Sequence, residues 1–320
     1  MENKNTVRIA TRSSPLALWQ ANSVKHKLEA IGINCELVLI ESTGDQQQTQ
    51  PLYAMGISGI FTKQLDTALL NNQADIAVHS LKDVPTLLAE NLFLAAVLER
   101  GAHEDVALVK NESILHKAGQ PAVIATSSLR RSAQWLAKYP NHKTVPIRGN
   151  VQTRLRKFEE ANDIDAIIFA KAGLERLGLL PAYAQVLDWM LPAPAQGTIG
   201  IVCRKDDKPA VDLCRTINHQ LTFYCAYAER QFLQALMGGC SVPISALAEC
   251  NGTEISIQGA IHSFDGKEAY RVFLQLDISQ WTRAGQLAAE KLLEQDGAQA
   301  LLQLIRNNKP YHESAGDKSA

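Results

Sequence analysis

Apolar and polar positions along the first hundred residues alternate between two periods, and each change of period marks an element. VRIAT (7–11) reads as a strand. SPLALWQANSVKHKLEAIG (14–32) reads as a helix with Ser14 as N-cap, Pro15 at its first position and Gly32 at its end. CELVLIES (35–42) is a second strand, FTKQLDTALLNNQ (61–73) an amphipathic helix, and ADIAVHS (74–80) a buried strand followed by the turn LKDVP. Such alternation predicts an α/β fold with a mostly parallel sheet and helices on both faces.

A similar order recurs from about 105 to 195. VALV, AVIAT and TVPI read as short strands, residues 128–139 and the stretch from Asn150 as helices, and DAIIFA as a further strand. LPAPAQGTIGIVCR (191–204) offers a strand able to cross back and complete the first sheet. After about 217 a long helix (222–237) leads to Gly238-Gly239-Cys240, then to the alternating strands ISALAEC, ISIQGAIH and YRVFLQLD and terminal helices. The expected division is residues 1–100 with 198–216 as a first α/β lobe, 101–197 as a second, and 217–320 as a smaller C-terminal α+β domain. The last residues, NKPYHESAGDKSA, are polar and read as a frayed end.

Composition narrows the function classes. The chain has 320 residues, 46% hydrophobic and 20% charged, with a formal net charge of -1. That balance argues against a dedicated nucleic-acid binder. No apolar stretch approaches the roughly 20 residues of a membrane span, and MENKNTVRIATR lacks a secretory apolar core, so a cytoplasmic protein is expected. Six cysteines show no CxxC pair and no metal-ligand spacing, as suits free thiols and no metal.

Against this neutral background, arginines gather at predicted strand-to-helix turns: Arg12, Arg130 and Arg131 in TSSLRR, Arg148 and Arg154 in IRGNVQTR. Helix N-termini already favour anions, and guanidinium forks match carboxylates. The group therefore reads as a site for a polycarboxylate or a phosphate, with surface ion pairs as the plain alternative. Thr126, Ser127 and Ser128 add hydroxyls and amides beside Arg130. Asp83, after a buried strand, is either a turn-former or a carboxylate aimed into a cleft, where it would stabilise a developing cation. Lys82 is an alternative amine nucleophile, disfavoured because its flanks show no apolar desolvation. His79 reads as a general base or a structural histidine, and Phe61 as a stacking platform or core. Cys240, after two glycines, has the setting of a reactive or modified thiol.

RIATRSSPLALWQA, GIFTKQLDTALL, ADIAVHSLKDVP, TSSLRRSAQ, IRGNVQTRL, AGLERLGL, LPAPAQGTIGI and GGCSVPI, in this order from residue 8 to about 245, closely resemble the porphobilinogen deaminase (hydroxymethylbilane synthase) family. The resemblance implies two lobes like those of periplasmic binding proteins plus the third domain. It implies a transferase that condenses four porphobilinogen molecules head to tail into hydroxymethylbilane, releasing ammonia, in tetrapyrrole and haem biosynthesis. It also implies a dipyrromethane cofactor joined by a thioether to Cys240, and a monomer without nucleic-acid or membrane partners. Carried over residue by residue, Asp83 is the catalytic carboxylate. Ser80, Lys82, Asp83, Thr126, Ser128, Arg130, Arg131, Arg148 and Gly149 hold the cofactor; Arg12, Ser14, Phe61, Arg148, Arg154, Arg176 and Gln196 hold substrate. The chain departs from the family pattern at Ala54 and Ser58, where loop lysines are usual, and at His103, where an arginine is usual. The neutral loop predicts weaker retention of the lengthening polyanion. A two-lobe solute-binding protein and an inactive relic are the competing readings; the expected lack of an export signal and the extra domain with GGC argue against the first, and Asp83, Cys240 and the five arginines argue against the second.

Overall fold

The computed structural model describes residues 6–41, 62–116, 119–236 and 242–307. The chain opens with β1 (Thr6–Thr11), α1 (Pro15–Glu29), β2 (Asn34–Leu39), α2 (Lys63–Leu70) and β3 (Ile76–Ser80). A 3₁₀ turn over Leu81–Asp83 and β4 (Leu92–Val97) follow. The start of α1 is as the sequence predicts. Ser14 Oγ accepts Ala17 N at 3.4 Å, and Pro15 fills the first turn, where a missing N–H costs nothing. Gln20, Ala21, Val24 and Leu28 form its buried stripe.

The chain then crosses into a second lobe made of β5 (Asp105–Val109), α3 (Ser113–His116), β6 (Val123–Ala125), α4 (Leu129–Lys138), β7 (Lys143–Val145), α5 (Val151–Glu160), β8 (Ala166–Ala170), α6 (Lys171–Arg176) and β9 (Gln185–Val186). It returns as β10 (Ile199–Arg204) and α7 (Lys208–Thr216). The structure thus adds β4, α3, α6, β9 and α7 to the elements that the hydrophobic pattern predicts.

The two sheets obey one rule. The first has the order β2-β1-β3-β10-β4 and the second β7-β6-β8-β5-β9. In each, neighbouring first, second and third strands run parallel, while the strand arriving from the crossing inserts antiparallel beside the third. The expected α/β architecture of two like lobes with mostly parallel sheets is present, and β10 does complete the first sheet. Ile9, Ile76 and Ile201 from the sheet meet Val24 and Leu28 of α1 in the first core. Full burial of each such side chain contributes about 1.5–3 kcal/mol.

The third unit packs α8 (Gln220–Leu236), α9 (Ala284–Leu293) and α10 (Ala298–Asn307) against the antiparallel sheet β11 (Ile244–Cys250), β12 (Glu254–His262) and β13 (Ala269–Asp277). Phe232 of α8 is fully buried in its core.

The two crossing segments between the lobes are bonded to each other, Leu98 N to Ile199 O and Gly101 N to Gly197 O, both at 3.1 Å. Gly197 has φ +84°, and a Cβ there would lie 2.6 Å from Ala102 O. Only glycine fits that close approach. Glu229 of α8, fully buried, ties this hinge to the third unit. Its carboxylate accepts Arg100 Nη1 at 2.6 Å, Ala195 N at 2.5 Å and Ala248 N at 2.7 Å.

Candidate active site

The carboxyl ends of both sheets supply the candidate residues, because ligands of open α/β folds bind there. From the first lobe come Arg12, Ser14, Ser80, Lys82 and Asp83. The 3₁₀ turn after β3 brings Lys82, half-buried, and Asp83, exposed, to the sheet edge. From the second come the starts of α4 and α5. Ser128 Oγ caps α4 by accepting Arg131 N at 3.4 Å, and Thr126 Oγ1 accepts Ser128 N at 3.2 Å. Asn150 Oδ1 caps α5 by accepting Thr153 N at 2.8 Å, with Gly149 before it at φ +118°. Ser80 Oγ accepts Gln20 Nε2 at 2.7 Å.

Sequence reasoning missed the residue that organises the arginines. Asp105, wholly buried at the start of β5, accepts Arg130 Nη1 at 2.6 Å and Arg131 Nη2 at 2.8 Å. Burial alone would raise this carboxyl, but the two guanidiniums outweigh it and hold Asp105 well below the usual carboxylate range. The signal was present in the sequence: an acid heading the all-apolar run DVALV cannot be buried unpaired. Arg130 and Arg131 are therefore built into the second lobe, both nearly fully buried. Arg130 Nε is buried with no acceptor among the described residues.

Gln196 joins the lobes. Its Nε2 donates to Asp105 Oδ1 at 2.9 Å and to His103 O at 2.8 Å, and its Oε1 accepts Lys82 Nζ at 3.3 Å. The sequence suggested no desolvation of Lys82, and here the structure differs. Burial pushes its ammonium down to about 8, reinforced by Arg131 and Arg130 and opposed by Asp83 and Asp105. Those arginines belong to the second lobe, so residues flanking Lys82 in sequence could not reveal it. Burial likewise lowers Arg154 to about 10, with Arg131 and Arg148 adding to the effect and Asp83 opposing it. Asp83, Lys82, Arg130, Arg131, Arg148 and Arg154 thus act on one another in one place.

Arg176 sits at the flank of the hinge. Its Nη2 donates to Gly197 O at 2.6 Å and its guanidinium lies 5.4 Å from the Trp19 ring centre, so it links α6 to α1. His79 is buried with Nε2 unpartnered among the described residues, and burial, with Arg12 and Arg230 adding, pushes it down to about 4. A neutral imidazole of such low basicity suits the structural alternative better than the general base. Phe61, Cys240, Ala54 and Ser58 lie outside the described residues.

Comparison with known proteins decides the family. The profile for the porphobilinogen deaminase dipyromethane cofactor binding domain matches residues 7–212, and that for the porphobilinogen deaminase C-terminal domain matches 223–294. The chain belongs to the porphobilinogen deaminase family. Among curated members, the porphobilinogen deaminase of Syntrophomonas wolfei is 43% identical over 92% of this chain and 97% of its own. That of Geobacter sulfurreducens is 41% identical over 94% and 96%, respectively. A probable porphobilinogen deaminase of Methanocaldococcus jannaschii is 46% identical over 76% of this chain and 82% of its own. A solved structure, the methionine binding protein MetQ, is similar at a TM-score of 0.44 and 15% identity, over 71% of this chain and 96% of that one.

The donor set fits the family's cofactor. Five cations, Lys82, Arg130, Arg131, Arg148 and Arg154, stand with the acids Asp83 and Asp105 in one electrostatic group, an excess of positive charge that suits added carboxylates. A dipyrrole with two carboxylates on each ring matches that excess.

Proposed function

We infer that this chain is a transferase that condenses four porphobilinogen molecules head to tail into the linear tetrapyrrole hydroxymethylbilane, with ammonia released at each condensation, in tetrapyrrole biosynthesis. Its cofactor is a covalently bound dipyrromethane, which supplies the pyrrole end from which the product grows. The observation that carries the reading is one exposed carboxylate, Asp83, set among part-buried cations drawn from both lobes.

The residue roles follow from charge and reach. Lys82, Arg130, Arg131 and Arg148, with the Ser80, Thr126 and Ser128 hydroxyls and the turn at Gly149, hold the cofactor's carboxylates. Arg12, Ser14, Phe61, Arg148, Arg154, Arg176 and Gln196 receive the incoming substrate. Loss of ammonia from porphobilinogen leaves a pyrrolic cation, and Asp83 is the acid positioned to stabilise it and to accept the pyrrole N–H. When a new C–C bond forms, the ring that gained it must lose its α-proton to regain aromaticity, and the Asp83 carboxylate takes that proton. Half-buried guanidiniums bind the accumulating carboxylates more strongly than exposed ones, because less water competes. Cys240 anchors the cofactor and takes no part in turnover.

The domain division that accompanies this reading is 1–100 with 198–216, 101–197, and 217–320, supported by the three separate sheets. A monomer in the cytoplasm, without nucleic-acid or membrane partners, completes it. Support comes from the near-neutral charge, the free thiols at Cys35, Cys203, Cys214, Cys225 and Cys250, and the lack among described residues of any helix long and apolar enough to cross a membrane. Purified protein mixed with porphobilinogen tests the reading: one ammonia should appear for each porphobilinogen consumed, together with a linear tetrapyrrole. Porphobilinogen left intact, with no ammonia, would contradict it.

A further inference from the structure

The turn that carries Asp83 is short, and much of what holds it comes from a distant part of the chain. Within the turn, Val84 N donates to Leu81 O at 3.1 Å, and Leu81 N donates to Thr198 O at 3.0 Å on the hinge. A three-residue 3₁₀ turn has poor hydrogen-bond geometry of its own, so the direction of its exposed carboxylate depends on outside support. Arg230 of α8 supplies that support. Its Nη1 donates to Val84 O at 2.8 Å and to Leu81 O at 3.4 Å, and its Nη2 donates to Pro85 O at 2.6 Å. The three carbonyls bracket Lys82 and Asp83. The preceding residue, Glu229, holds Arg100 and Ala195 of the hinge. Two consecutive residues of one helix therefore fix the hinge and the aspartate-bearing turn to the third unit.

We propose that Arg230 is a positioning residue for Asp83, locking the Leu81–Pro85 backbone to α8 so that the carboxylate keeps one orientation through repeated condensations. The proposal rests on the functional reading above and adds a residue with no role in it. The planar guanidinium presents its donors in a fixed fork, and one such fork spans three carbonyls; a lysine ammonium is a point donor on a flexible stem and reaches fewer of them. All three of these bonds end on backbone carbonyls, so what Arg230 does through them reaches Asp83 by way of the turn.

The test compares Arg230→Met and Arg230→Lys with the parent, alone and combined with Asp83→Asn. A misplacement of about 1 Å costs on the order of 10²-fold in rate. Arg230→Met should lower kcat by about that factor with little change in KM, and Arg230→Lys should recover part of it. In the Asp83→Asn background Arg230→Met should add almost nothing, because residues acting through one group are non-additive. Amide exchange at Leu81 and Val84 should rise in Arg230→Met while that of β12 stays unchanged. An unaltered kcat, a loss that multiplies with that of Asp83→Asn, or unchanged exchange at the turn would overturn the proposal. Should Arg230→Met fail to fold, Arg230→Gln and Arg230→Lys carry the same comparisons. If the parent itself releases no ammonia, the functional reading fails, and amide exchange still decides whether Arg230 braces the turn.

Discussion

Lys82 Nζ lies 3.3 Å from Gln196 Oε1, so a first-lobe ammonium is bonded to the amide that also donates to Asp105 of the second lobe. Gln196 is wholly buried, its bond to Asp105 is buried as well, and its bond to Lys82 is part-buried. Hydrogen bonds to charged groups contribute about 1.5–3 kcal/mol each. Gln196→Leu should lower unfolding stability by about 2 kcal/mol and weaken substrate binding. Urea titration and KM measure the two effects, and an unchanged midpoint would remove Gln196 as the link between the lobes.

Asp105→Asn asks whether the arginine cluster depends on its counter-charge. Removing one partner of a buried pair leaves uncompensated charge and typically costs 3–5 kcal/mol. With Arg130 and Arg131 both bonded to this carboxylate, the variant should fall in that range by denaturant unfolding. A loss below about 1 kcal/mol, the usual worth of a surface pair, would show that the pair is solvated.

Asp83→Asn should do the opposite. The residue is exposed on a turn, so stability should hardly change. Turnover should fall about 10²–10³-fold, the usual cost of losing one group that stabilises developing charge. Ammonia release at saturating porphobilinogen measures it, and normal turnover would exclude Asp83 from the chemistry.

These contrasts show what the sequence reveals and what it hides. Helix starts were legible because capping is local: Ser14 caps as predicted, and the helices read as starting at Ser128 and Asn150 are capped by those two residues. The succession of strands and helices along the chain was legible in outline, since apolar runs alternate with amphipathic ones, but their order within each sheet was not. The burial of Lys82 was not, because the groups that depress it come from the other lobe. Arg230 and Glu229 sit in a helix whose sequence reads as an ordinary apolar stripe, and only the fold shows that they reach the turn and the hinge. Asp105 lay between these cases, visible as an acid in an apolar strand though its partners were not.

Acid should destabilise the protein through its buried histidines. His262, at the end of β12, is buried with both ring nitrogens unpartnered among the described residues. Burial, with Arg271 and Arg130 adding, pushes it down to about 4, as burial does for His79. The unfolded chain takes up these protons near 6.5. Between about 6.5 and 4 the unfolded state therefore binds more protons, and the histidines' share of stability falls as pH drops through that window. Asp66, raised to about 6 by burial, works the other way, so the comparison must isolate one group. His262→Leu should gain more melting temperature over the parent at pH 5 than at pH 7.5; an equal gain at both would contradict the shift.

Gly197→Ala probes the hinge. The added methyl would meet Ala102 O and Gly101 O at 2.6 and 2.7 Å, in a backbone region that L residues rarely adopt. The strain should cost about 1–3 kcal/mol, and the melting temperature should fall with it. A neutral substitution would mean that the crossing segments separate readily.

The central claim is that product grows from a dipyrrole bound through Cys240, inside the cationic cleft. The intact mass of the protein, purified from cells that make tetrapyrroles, tests it most directly. The account predicts a mass above that of the sequence by one dipyrromethane unit, and no excess in Cys240→Ser. A parent protein that weighs only its amino acids, or an excess that survives Cys240→Ser, would contradict it.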